Sequence, residues 1–149
     1  IRYSGHILYH TLKNVPRSKK IEVPVFEDTQ MGISIGLALG GYVPINIYPR
    51  MDFLMIAMNR LLNHLDKVKE MSQGEFDPKV IIRTMIGAKK PLNGGPQHTG
   101  DYTIGLRNIL KNISVITVGN SEHISQLYNK IFSSNQSIIF VESGDLYND

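Results

Sequence analysis

The chain has 149 residues, 42% apolar, 8% aromatic and 19% charged, a balance that suits one globular domain and excludes two full-sized domains or global disorder. Lys and Arg number 16 against 13 Asp and Glu, for a net +3. Arg2, Lys13, Arg17, Lys19 and Lys20 lie in residues 1–20 with no acid among them, so the remainder of the chain carries a net charge of −2.

The absence of cysteine excludes a disulfide framework, cysteine-ligated zinc and a thiol nucleophile. No apolar run reaches the ~18 residues of a membrane span, and no basic start leads into an apolar signal core. The expected setting is therefore the cytoplasm, or the mitochondrial matrix in a eukaryote, with no membrane partner. The body holds no basic cluster interleaved with aromatics, so no nucleic-acid partner is expected. Residues 1–22 read as a basic N-terminal segment and residues 23–149 as the folded domain.

Val23–Phe26 is a short β-branched and aromatic run, with Glu27–Gln30 as a polar turn beyond its end. Met31–Leu39 is small and apolar, with Gly32, Gly36 and Gly40 in a row that would let a helix approach another backbone. Tyr42–Tyr48 reads as a strand, after which Asp52 is placed to cap a long amphipathic helix reaching about Glu70. Val80–Ile86 is the next strand, and Gly87–Gly100 a glycine-rich loop. Asp101 is placed to cap a helix over Tyr102–Leu110, Ser114–Val118 is a strand, Glu122–Phe132 a helix opened by Asn120 or Ser121, and Ser137–Val141 the last strand. Near-continuous apolar strands alternating with helices predict a doubly wound α/β domain, with a mainly parallel sheet of about five strands covered on both faces. Ligands of such folds bind beyond the carboxyl ends of the strands. The loops there are Glu27–Gln30, Pro49–Asp52 and Gly87–Gly100.

The segment Gly87-Ala-Lys-Lys-Pro-Leu-Asn-Gly-Gly95 lacks the Gly-Lys-Ser/Thr ending of a phosphate loop. No Gly-x-Gly-x-x-Gly fingerprint follows a strand, and no Gly-x-Ser-x-Gly elbow occurs. His6 and His10 have helical two-ligand spacing without a third ligand, so no metal site is expected. Glu27 and Asp28 are carboxylates at a strand end, His98 lies in a glycine-rich loop before a helix, and Phe53 is by default a core residue.

Several pieces are colinear with one known family. Val25-Phe-Glu-Asp-Thr-Gln-Met-Gly32, Ile35-Gly-Leu-Ala-Leu-Gly-Gly-Tyr-Val-Pro44, Met51-Asp-Phe53, Gly94-Gly-Pro-Gln-His-Thr99, Asn112-Ile-Ser-Val-Ile-Thr-Val118 and the closing Val-Glu-Ser-Gly-Asp-Leu-Tyr147 occur in order. The set resembles the pyrimidine-binding domain of transketolase-type thiamine diphosphate enzymes, most of all the beta subunit of the decarboxylating component of 2-oxo acid dehydrogenase complexes. The resemblance implies a shared cofactor site. This chain would hold the pyrimidine ring, while a diphosphate-binding alpha-type chain or domain holds the diphosphate and Mg²⁺; a K⁺ ion also occurs in such enzymes. It further implies a homo- or hetero-oligomer acting on a 2-oxo acid or a ketose.

The resemblance casts Phe53 as the residue stacked on the ring and His98 as a proton donor or orienter at the substrate. It puts Gln30 where the family carries the Glu that exchanges a proton with the ring nitrogen, which an amide does not do. Glu27, three residues earlier, is the carboxylate that would substitute for it. The alternative is a catalytically impaired homologue that serves as a binding or assembly module. The family's first strand, third domain and Gly-Asp-Gly metal motif have no counterpart, which leads to the expectation of a fragment or a reduced homologue.

Overall fold

The computed structural model describes residues 12–87, 93–119, 122 and 124–148. His6, His10, the centre of the Gly87–Gly95 segment, Asn120 and Ser121 lie outside them.

Four parallel strands form one sheet: β1 (Ile45–Tyr48), β2 (Ile81–Ile86), β3 (Ser114–Thr117) and β4 (Ile138–Ser143), in the order β1-β2-β4-β3. Ile45 pairs with Ile81, Ile81 with Ile138, and Ser114 with Ile138. The two central strands are buried almost throughout, as their largely apolar sequences require, with Arg83 and Thr84 interrupting β2 and Glu142 and Ser143 closing β4.

The helices are α1 (Glu27–Leu39), α2 (Met51–Leu54), α3 (Val68–Met71), α4 (Thr103–Ile109) and α5 (Ile124–Ser133). Between α2 and α3 the chain stays helical but changes pitch, through a 3-10 turn at Met55–Ala57 and a π segment at Arg60–Leu65. The wide turn shows in the Asp66 N–H bonding back to the Leu61 carbonyl at 3.0 Å.

The sheet is covered on both faces. One core gathers Met31, Tyr48, Leu54, Leu61, Ile82, Leu106, Ile139 and Val141 under α1, residues 51–71 and α4. The other gathers Ile81, Val118, Ile131, Ile138 and Phe140 under α5. Each large side chain so buried contributes roughly 1.5–3 kcal/mol relative to exposure. The doubly wound α/β class expected from the sequence is thus the class observed.

Local boundaries differ where side-chain identity misleads. Val23–Phe26 forms no strand: Pro24 interrupts it, Val25 is 82% exposed, and α1 starts at once with Glu27. Glu27–Gln30 is therefore the first turn of a helix and not a loop, with Glu27 and Asp28 suited to the positive end of the helix dipole. Asp52 is not a cap, because Arg50 holds that position and Asp52 lies inside the first turn of α2. A Cβ added at Gly32 or Gly36 would meet nothing within 4 Å, so the glycine row receives no backbone among the described residues. Asp101 is not the cap either, since Tyr102 holds that position; it lies one residue ahead, where its carboxylate accepts the Thr103 N–H at 2.9 Å at the start of α4.

Two polar groups lie deep in the fold. Arg83 and Glu142, from β2 and β4, form a two-pronged pair at 2.7 and 2.8 Å with side chains 11% and 6% exposed. Asp66 is buried at the end of the π segment, where its carboxylate accepts the N–H groups of Lys111 (3.1 Å) and Asn112 (2.7 Å). The Asn112 amide donates back to the Asp66 carbonyl at 2.6 Å, closing the clasp between residues 60–66 and the approach to β3.

Candidate functional site

The carboxyl ends of β1 and β2 bring together two segments far apart in sequence. After β1 the chain runs through Pro49 and Arg50 into α2, which carries Asp52 and Phe53. After β2 it leaves at Gly87 and returns with Gly94–Gly100, which carries His98. Phe53 and His98 meet edge to face, with ring centroids 5.6 Å apart and planes at 84°. Both are half-buried. The Nδ1 atom of His98 is shielded from solvent and has no hydrogen-bond partner among the described residues.

Main-chain contacts hold this loop in place. The His98 N–H donates to the Gly95 carbonyl at 3.0 Å, and the Thr99 hydroxyl donates to the same oxygen at 3.0 Å. Asp52 accepts the Gly100 N–H at 3.3 Å and the Tyr102 hydroxyl at 3.4 Å. The Arg50 guanidinium donates to the carbonyls of Gly87 and His98, both at 2.9 Å. Two glycines permit the close approach: a Cβ at Gly94 would stand 2.8 Å from the His98 Cβ, and one at Gly100 would stand 2.6 Å from Asp52 Oδ1.

The first turn of α1 packs over the carboxyl half of β1. The Gln30 amide nitrogen donates to Asn46 Oδ1 and, at 2.9 Å, to the Ile47 carbonyl. Both amide hydrogens are thereby committed to β1. Tyr48 donates its hydroxyl proton to the Glu27 carbonyl at 3.0 Å and accepts from Asn46 at 3.2 Å. Burial pushes the Tyr48 phenol well above its ordinary pKa, against the Asn46 hydrogen bond and with added push from the charges of Glu27 and Asp28. Asp28 pairs with Arg60 at 3.0 Å on the surface. The Glu27 carboxylate, half-buried, makes no hydrogen bond or ion pair among the described residues.

The four residues expected from the sequence thus fall into two groups. Phe53 and His98 touch each other, while Glu27 and Gln30 lie on the first turn of α1, tied to β1. Arg50 carries no signal in the sequence, because its partners are main-chain carbonyls. Among the described residues no group of three or more His, Asp or Glu is arranged to hold a metal ion. A surface hollow of about 370 Å³ lined by Asp66, Lys69, Asp77, Lys111 and Gln136 lies at the amino ends of the strands, away from this cluster.

No family model matches the chain. It is 27% identical over 128 residues to "Pyruvate dehydrogenase E1 component subunit beta" of Gracilaria tenuistipitata var. liui, covering 86% of this chain and 39% of that protein. It is 26% identical over 127 residues to "Acetoin:2,6-dichlorophenolindophenol oxidoreductase subunit beta" of Cupriavidus necator, covering 85% and 37%. Identity to "3-methyl-2-oxobutanoate dehydrogenase subunit beta" of Mycobacterium tuberculosis is 29% over 93 residues, covering 60% and 27%. The chain has homologues among the beta subunits of 2-oxo acid dehydrogenases. It spans about two fifths of the length of the first curated relatives it matches (39% and 38%). No helix among the described residues is long and apolar enough to cross a membrane.

Proposed function

We propose that this chain supplies the pyrimidine-binding half of a thiamine diphosphate site, completed by a diphosphate-binding alpha-type chain that also holds Mg²⁺. The assembled enzyme would decarboxylate a 2-oxo acid and transfer the acyl group, or act on a ketose. The names of the relatives support the reaction class. The observation that carries the site is the pair Phe53–His98, an aromatic ring set against an imidazole whose Nδ1 is buried and, among the described residues, unpaired. Those features fit the aromatic ring and the reacting group that such a site would receive.

When bound, thiamine diphosphate supplies a carbon nucleophile for the 2-oxo carbonyl and an electron sink for the bond cleavage that follows. This chain's residues supply position and protons. Phe53 offers a half-buried ring for stacking, with the apolar surface and quadrupole that favour an offset aromatic partner. His98 orients the substrate carbonyl and donates or accepts a proton at its oxygen, a contribution of typically about 10²–10⁴ in rate. Glu27 holds the proton exchanged with a ring nitrogen. It suits that role because Asp28 is tied to Arg60 and the hydrogens of Gln30 are tied to β1. Gln30 then acts as the clip that fixes the first turn of α1 on the strand leading to Phe53.

An assembly module without turnover is the second reading, favoured by the neutral Gln30. The two separate on one experiment: 2-oxo acid decarboxylation by the chain combined with an alpha subunit and thiamine diphosphate–Mg²⁺. Turnover that falls with His98→Gln supports the enzyme. A stable complex with no turnover supports the module.

A further inference from the structure

We infer that Arg50 is a positioning residue that ties Gly87 and His98 together through their carbonyls, leaving the imidazole itself free for a ligand. One guanidinium nitrogen of Arg50 donates to two carbonyls at 2.9 Å: Gly87, where the chain leaves β2, and His98, where it returns. The two points are thus joined through a single side chain that belongs to the neighbouring strand's exit. The donors of the guanidinium are fixed in a plane, so the clasp is directional. It also spends only the main chain of His98. The ring is left to Phe53 on one side, and Nδ1 is left without a partner among the described residues.

Arg50 does not work alone. Asp52, two residues on, accepts the Gly100 N–H at 3.3 Å, so one turn of chain grips the loop at Gly87, His98 and Gly100. Arg50 makes two bonds of ordinary length where those of Asp52, to the Gly100 N–H and the Tyr102 hydroxyl, are both long, and Arg50 is therefore the dominant grip. That a residue three positions from Phe53 sets the backbone of His98 also explains how the two rings, from separate loops, keep one distance.

The functional consequence rests on the thiamine reading, but the clasp does not, and its test needs no cofactor. In Arg50→Met, which keeps the stem and removes the donors, the His98 and Gly100 amides should exchange hydrogen about tenfold faster or more, with the amides of β1 and β2 unchanged. The ring-current shift that Phe53 imposes on the His98 imidazole protons should collapse toward the value of a solvated histidine, assigned against His98→Gln. Arg50→Lys, which retains the charge and can donate to both carbonyls from one nitrogen, should recover most of both signals. Unchanged exchange and an unchanged His98 shift in Arg50→Met would overturn the inference. Protection lost equally across β1 and β2 would overturn it too, since that marks general destabilisation. In the assembled enzyme, Arg50→Met should lower kcat more than it raises KM, with Arg50→Lys restoring it.

Discussion

His98 lies 5.6 Å from Phe53, ring edge to ring face, although the two leave the sheet from different strands. A contact of this kind forms only because β1 and β2 run parallel and in register, Tyr48 beside Thr84, so that both chains exit at the same end. Parallel order converts two distant sequence motifs into one cluster, at the end of the sheet where such folds place ligands.

Replacing Phe53 with Ala should weaken thiamine diphosphate binding by about 0.5–1.5 kcal/mol beyond the lost area, and Phe53→Tyr should be nearly silent. His98→Gln should leave binding intact and lower turnover by about 10²–10⁴. Calorimetry and steady-state rates of the assembled enzyme separate the two effects.

Glu27→Gln should lower turnover by a similar factor of about 10²–10⁴, the loss of a positioned acid–base group. Gln30→Glu should not compensate. At position 30 the amide donates to Asn46 and to the Ile47 carbonyl, and a carboxylate would face that carbonyl without a hydrogen to offer. The expected result is a loss of about 1–3 kcal/mol in stability by urea unfolding, with no gain in rate. A gain in rate from Gln30→Glu would move the acid–base role from Glu27 to position 30.

The alternation of strands and helices is legible in the sequence because parallel strands covered on both faces are mostly apolar, as in Ile81-Ile82 and Ile138–Val141, even though Arg83 and Glu142 pair within them. The start of α1 is not legible, because Val23–Phe26 has strand-like side chains and only its exposure and Pro24 decide otherwise. Phe53 and His98 are reached through the family resemblance; by composition they are a core aromatic and a loop histidine. Arg50 and Asp66 leave no trace, since both bond to main-chain groups whose positions depend on tertiary structure. Asp52 reads in the sequence as a helix cap, whereas its carboxylate serves Gly100 and Tyr102 across the loop.

Asp66→Ala should destabilise the fold by about 1–3 kcal/mol, because it leaves the Lys111 and Asn112 N–H groups without their acceptor. Asp77→Ala, which breaks only the exposed pair with Lys69 at 2.6 Å, should cost less than about 1 kcal/mol. Urea midpoints of the two variants check the contrast.

Alkaline pH should unfold the chain through its buried phenols. Burial, against the nearby Arg83 charge, raises the Tyr128 pKa from 10.0 to about 12. The neutral phenol is thus favoured in the fold, and its contribution is fully present below pH 10 and lost as pH rises through about 12. Tyr48 acts in the same direction. Tyr128→Phe keeps the ring packed on Phe132 and Phe140, and should flatten part of the stability loss over that window. Thermal melts as a function of pH, read beside tyrosinate absorbance, follow both.

That this chain forms half of a thiamine diphosphate site is tested most directly by calorimetry. Thiamine diphosphate with Mg²⁺ would be titrated into the chain assembled with an alpha subunit of a pyruvate dehydrogenase-type component. The expected result is saturable binding, one site per copy of this chain, absent from either chain alone and weakened by Phe53→Ala. A stably assembled pair that takes up no thiamine diphosphate, or binding that Phe53→Ala leaves untouched, would contradict it.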